Sequence, residues 1–111
     1  MPKNDHVRLR HMLDAAQKAV AVSQGRSRKD LDTDSLLNLA LVRLLEVIGE
    51  AAKALSPEIS TAHPEIPWKK ISGMRDRLIH GYFDVNLDVV WETVTQDLPP
   101  LIASLEQIVS S

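Results

Sequence analysis

The chain has no cysteine, only four glycines, and aromatic residues at 4%. Without cysteine there is no disulfide scaffold, no zinc ribbon and no thiol nucleophile. So few glycines and aromatics leave little of the turn-and-strand vocabulary that sheets need, and an all-α class is expected. Long apolar runs are missing too. The most apolar segment, Leu36 to Leu55, is broken by Asn38, Arg43, Glu46, Glu50 and Lys53, which argues against a membrane span. Met1 to Arg10 is polar and lacks the apolar stretch of a signal peptide, so a cytoplasmic location is expected. No metal site is expected either. His6 and His11 lie five apart, His63 sits among prolines, and no Glu-x-x-His occurs, so the ligand spacings of zinc or bundle-metal sites are absent.

What is present is ordinary globular material, 44% hydrophobic and 25% charged over 111 residues, enough for a single domain, 1–111, with its own core. The net charge of −2 predicts no polyanion partner by itself, but its distribution is uneven. Residues 1–31 are net +4 and residues 32–67 net −4. Residues 68–83 hold Lys69, Lys70, Arg75 and Arg77 against Asp76, and residues 84–111 hold five acids and no base. A compact basic segment between acidic ones suits a local anion site, or else a solvated helix face.

Helical periodicity is strong. Leu9, Met12, Leu13, Ala16, Ala19 and Val20 mark a first helix near 5–23. A second is expected after the capping cluster Asp32-Thr33-Asp34, running to about Leu55. Its stripe is Leu37, Leu41, Leu44, Ile48, Ala51 and Leu55, widened by Leu36, Leu45 and Val47. Gly49 in its middle implies a close helix crossing. A proline-rich connector at 56–67, with one short turn at 58–62, leads to a third helix after Pro67 that Gly81 would end. A fourth begins after the N-cap Asn86 and holds one phase to the C-terminus, with a kink near Thr95–Leu98 ahead of Pro99 and Pro100. These four amphipathic helices predict an up-and-down four-helix bundle.

The third helix carries the chemistry, in the phrase Arg75-Asp76-Arg77-Leu78-Ile79-His80-Gly81-Tyr82. On a regular helix Arg75 and Tyr82 share a direction, whereas His80 lies about 140° around from Arg75. Either the last turn is distorted near Gly81, or a twofold dimer brings two Arg75 and two His80 into one cleft. These side chains suit RNA cleavage without a metal. An imidazole, ordinarily titrating near pH 6.5, can take the 2′-hydroxyl proton or give one to the 5′-oxygen. A guanidinium is a permanent cation suited to charge building on phosphoryl oxygens. The competing reading pairs Arg75 with an acid of the second helix and makes His80 a cap or packing residue.

Arg-x4-His-x-Tyr, met by Arg75, His80 and Tyr82, resembles the signature of the HEPN ribonucleases and specifically of the HepT toxins. Val47-Ile48-Gly49-Glu50-Ala51-Ala52-Lys53, Pro64-Glu65-Ile66-Pro67-Trp68, Gly73-Met74-Arg75, Val90-Trp91 and Asp97-Leu98-Pro99 extend the resemblance over roughly residues 5–110. The resemblance implies a HEPN-type bundle that dimerises through the motif-bearing helices and cleaves RNA, tRNA or mRNA being candidates. It makes Arg75 and His80 catalytic, with Asp76 orienting them and Lys69, Lys70 and Arg77 holding the RNA backbone. It implies no cofactor. It further implies a type VII-like toxin–antitoxin pair, in which an MNT-type nucleotidyltransferase antitoxin inactivates the toxin by transferring AMP to Tyr82. The alternative is a non-catalytic helical subunit that docks on a nucleotidyltransferase.

Overall fold

The structure, a computed structural model, describes residues 3–79 and 84–110. Helix α1 spans Lys3–Ser23, and its three-and-four repeat of Leu9, Met12, Leu13, Ala16 and Ala19 is buried throughout. Gly25, at φ +73°, takes the left-handed turn that lets the chain leave the helix. One further turn, α2 (Asp30–Thr33), leads into α3 (Ser35–Lys53). As expected, the 32–34 cluster supplies the cap: the Asp34 carboxylate accepts from the Leu37 N–H at 3.1 Å.

Two contacts show that α1 and α3 run antiparallel. At one end Arg26, just past α1, lies 2.7 Å from Asp34 before α3. At the other, Asp5 in the first turn of α1 accepts from both the N–H and the hydroxyl of Ser56, just past α3. The buried stripe of α3 holds Leu37, Leu41, Val42, Leu45 and Ile48. Leu36 does not widen it: the residue is 78% exposed. One position from Leu37 is a rotation of about 100°, which carries Leu36 off the buried face.

The short turn expected in the connector is α4 (Pro57–Ala62). Past it, the Trp68 indole N–H donates to the His63 carbonyl at 2.8 Å. The third helix departs from expectation. It is divided into α5 (Trp68–Ser72) and α6 (Met74–Leu78), with Gly73 between them. It also stops at Leu78. Ile79 is extended at φ −116°, ψ 121° and pairs with Val85 in an isolated antiparallel bridge. The Asn86 N–H donates to the Leu78 carbonyl at 2.7 Å, so a carbonyl at the helix end is satisfied across the loop and no further turn is needed. Gly81, the expected terminator, lies outside the described residues.

Helix α7 (Leu87–Glu92) starts at Asn86, whose side chain accepts from the Val89 N–H at 3.2 Å. Helix α8 covers Leu98–Ser110. Between them, where a kink is expected, stands a π-helical segment at Thr93–Asp97, and the Leu98 N–H reaches back five residues to the Thr93 carbonyl. Pro99 and Pro100 have no N–H with which to continue the four-residue ladder. Widening one turn accommodates that interruption. The hydroxyls of Thr93 and Thr95 donate to the carbonyls of Val89 and Trp91 at 2.7 and 2.8 Å.

α1 packs on α3 and α8, and α5 and α6 lie on α3. The result is an all-α bundle whose fourth arm is the broken α5–α6 pair. Residues from every arm meet in one core, including Leu9, Leu45, Ile48, Leu78, Val90 and Leu105. Among the described residues, no helix is long and apolar enough to cross a membrane.

Candidate active site

Five residues are too few to hold a helix unaided, so α6 depends on its seat. That seat is Gly49. A Cβ there would stand 3.1 Å from Met74 Cβ and 3.2 Å from the Ile71 carbonyl oxygen, closer than ordinary van der Waals contact. The glycine expected to mark a helix crossing therefore does so against the residue preceding Arg75. Met74 and Leu78 are buried and fix the inner face of α6.

Arg75 and Asp76 point outward and are exposed. Among the described residues the Arg75 side chain forms no hydrogen bond or ion pair, and no acid of α3 reaches it; Glu50 of α3 is paired with Lys53 at 3.8 Å. The other two motif residues, His80 and Tyr82, lie outside the described residues. Because the helix ends at Leu78, the 140° separation of Arg75 and His80 drawn from a continuous helix does not apply: Ile79 redirects the chain first.

The basic segment does not act as one patch. Lys69 is exposed and has no ion pair among the described residues. Lys70 points the other way, with its Nζ 3.2 Å from Asp97 Oδ2 on the π segment. Arg77 leaves α6 about 200° around from Arg75 and is partly buried. Lys70, Arg77 and Asp97 share the wall of a pocket of about 150 Å³ whose apolar lining includes Ile66, Ile71, Met74 and Leu101. Arg77 Nη1 and Asp97 Oδ2 are buried there and make no hydrogen bond among the described residues. Sequence spacing gave no hint of this grouping, since Asp97 is 27 residues from Lys70. Only the Asp97-Leu98-Pro99 phrase had singled Asp97 out.

Elsewhere two arginines are tied to acids. Arg26 bridges Asp30 and Asp34, and Arg28 bridges Asp32 and, at 2.7 Å, Asp88 in the first turn of α7. The Asp34 carboxyl is held below its ordinary range by the Arg26 guanidinium and the Leu37 N–H. Hydrogen bonds to Asp88 and Asp32 raise Arg28 further. Asp5 is lowered by the hydroxyl and N–H of Ser56. These pairs tie α1, α2, α3 and α7 together, so two bases of the basic N-terminal third serve the fold. No group of three or more histidines and acids among the described residues could hold a metal ion.

Arg75 is thus an exposed, unneutralised guanidinium on a short helix fixed from beneath, with an exposed carboxylate beside it. Such a fork can hold a phosphate or stabilise charge developing on one.

Comparison with known proteins gives a consistent result. Residues 12–108 match the family model described as "Ribonuclease HepT-like". A protein of Caldanaerobacter subterraneus subsp. tengcongensis, named as an RNase, is 42% identical over 100 residues, spanning 90% of this chain and 89% of the relative. One from Thermococcus cleftensis, named as a ribonuclease HepT, is 42% identical over 80 residues, or 72% of this chain and 73% of the relative. A third, from Methanocaldococcus jannaschii and also named as an RNase, is 36% identical over 110 residues, 98% of this chain and 91% of the relative. Comparison with solved structures gives no match.

Proposed function

The chain belongs to the HepT-like ribonuclease family, and on that premise we propose that it is a metal-independent RNA endonuclease, the toxin of a type VII-like toxin–antitoxin pair. The observation that carries this reading is the state of Arg75 at the motif position, exposed on α6 and without an ion pair among the described residues. A cation left without a counter-charge at a family motif is available for a phosphate.

In the proposed reaction the 2′-oxygen of the RNA forms a bond to phosphorus and the bond to the 5′-oxygen breaks. The products are a 2′,3′-cyclic phosphate and a free 5′-hydroxyl. One His80 takes the 2′-hydroxyl proton and the His80 of a second copy gives one to the leaving oxygen, so the homodimer is the working unit. Arg75 stabilises the charge on the non-bridging oxygens, and Asp76 orients the pair. Lys69 contributes a backbone contact from the exposed side of α5. Inactivation follows when an MNT-type nucleotidyltransferase joins AMP to the Tyr82 oxygen and releases pyrophosphate. The added bulk and negative charge then oppose an incoming phosphate at the cleft.

The test is RNA cleavage in EDTA by purified protein whose intact mass shows no AMP, beside Arg75→Ala and His80→Ala. Wild type should yield cyclic phosphate ends, and both variants should lose cleavage with helical content and dimer unchanged. Cleavage by His80→Ala at the wild-type rate overturns the mechanism. A wild type that cuts no cellular RNA turns the reading to a non-catalytic partner of the nucleotidyltransferase.

A further inference from the structure

Two of the four bases in the central segment, Lys70 and Arg77, line a pocket that Arg75 does not. Lys70 Nζ is 3.2 Å from Asp97 Oδ2, and Arg77 Nη1 is buried in the same pocket wall. A phosphate brought to Lys70 would have to compete with Asp97, and like charges at that range repel. A partly buried guanidinium nitrogen without an acceptor is costly unless a counter-charge is close. Asp97 pairs with Lys70 and lines the same pocket as Arg77, with no ion pair between Asp97 and Arg77.

The location of Asp97 matters as much as its charge. It ends the π segment, which the Pro99-Pro100 pair imposes and the hydroxyls of Thr93 and Thr95 hold. π turns concentrate at functional sites, and this one places a carboxylate against Lys70 on α5, in the pocket that Arg77 of α6 also lines. Apolar contacts at Ile71, Met74 and Leu78 press α5 and α6 onto α3. Packing of that kind is weakly directional and leaves rotation of a five-residue helix poorly fixed. The ion pair of Asp97 with Lys70 at the α5 end resists that rotation.

We propose that Asp97 is a positioning residue for RNA cleavage: through Lys70 on α5 it holds the α5–α6 elbow in the orientation that presents Arg75. This inference rests on the ribonuclease reading above. Lys70 accordingly acts through Asp97 rather than on the RNA backbone.

The experiment measures kcat, KM and the salt dependence of RNA binding for wild type, Asp97→Asn, Lys70→Met and the double variant. Asp97→Asn keeps the shape and removes the charge. Its kcat should fall about tenfold or more, with KM within about threefold. Lys70→Met, at an exposed position that folding tolerates, should lower kcat in the same way and leave the salt slope unchanged. The double variant should be no worse than the poorer single, because the two side chains form one contact. Asp97→Asn at the wild-type kcat overturns the inference. So does Lys70→Met with raised KM, a salt slope reduced by about one and kcat intact, which would make Lys70 an RNA contact. Fully additive losses overturn it as well. If wild type itself cuts no RNA, the ribonuclease reading fails and takes this inference with it; cleavage by wild type confines every other failure to Asp97.

Discussion

Gly49 on α3 and Met74 on α6 meet so closely that a Cβ on the glycine would stand 3.1 Å from Met74 Cβ and 3.2 Å from the Ile71 carbonyl oxygen. Neither neighbour can yield freely, because one is helix backbone and the other is the first carbon of a buried side chain. Any side chain at position 49 therefore lifts the α5–α6 elbow. Gly49→Val should destabilise the protein by about 1–3 kcal/mol, as overpacking of a filled core does. It should also lower cleavage more than that loss of folded protein explains, since the residue displaced precedes Arg75. Urea unfolding beside kcat at a temperature where both proteins are folded separates the two effects.

Arg75→Lys keeps the positive charge and discards the planar fork. If the guanidinium holds two non-bridging oxygens at once in the transition state, an ammonium cannot replace it. The expected outcome is a kcat loss of about a hundredfold with RNA affinity and its salt dependence nearly kept. Single-turnover cleavage at saturating protein reads this directly. A Lys variant with the wild-type kcat would reduce the role of Arg75 to charge alone.

Acid should loosen the α1–α3 pairing at both ends. Asp5 and Asp34 have folded-state pKa values below their ordinary range, through Ser56 in one case and through Arg26 and the Leu37 N–H in the other. A lowered carboxylate pKa stabilises the fold above the unfolded-state value, near 3.9. That contribution is lost as pH falls through the lowered folded-state value. Tm should therefore drop as pH is taken below about 4. Asp5→Asn should melt below wild type at pH 7, and the gap should narrow in acid where the wild-type carboxyl is itself protonated. A gap independent of pH would mean that the Asp5 charge contributes nothing.

Much of this fold was legible because its signals are local. The stripes of α1 and α3, the caps at Asp34 and Asn86, the crossing at Gly49 and the disturbance ahead of Pro99 each depend on residues within a turn or two of one another. Two features escaped. The third helix read as continuous because Trp68, Ile71, Leu78 and Ile79 keep apolar spacing, whereas its break and early end depend on Ile79 pairing with Val85 and on Asn86 reaching Leu78. Leu36 read as core because it is apolar; only its angle from Leu37 shows otherwise. At the site, the motif identified Arg75, His80 and Tyr82, and the structure places Arg75 alone among these. The division of the basic segment was not legible, because the acid that pairs with Lys70 is 27 residues away in sequence.

That division gives a prediction for Lys69. It is exposed on α5 with no carboxylate partner among the described residues, one position from a lysine that is paired. Adjacent helical residues diverge by about 100°, so the two ammonium groups meet different surroundings although their sequence context is nearly identical. An unpaired surface ammonium that contacts a phosphate releases about one counterion on binding. Lys69→Ala should therefore flatten the plot of log affinity against log salt by about one and weaken binding to all RNA sequences alike. Filter binding in a His80→Ala background, from 50 to about 300 mM salt, measures both without cleavage. An unchanged slope would remove Lys69 from the RNA path and leave Arg75 as the cation that meets the backbone there.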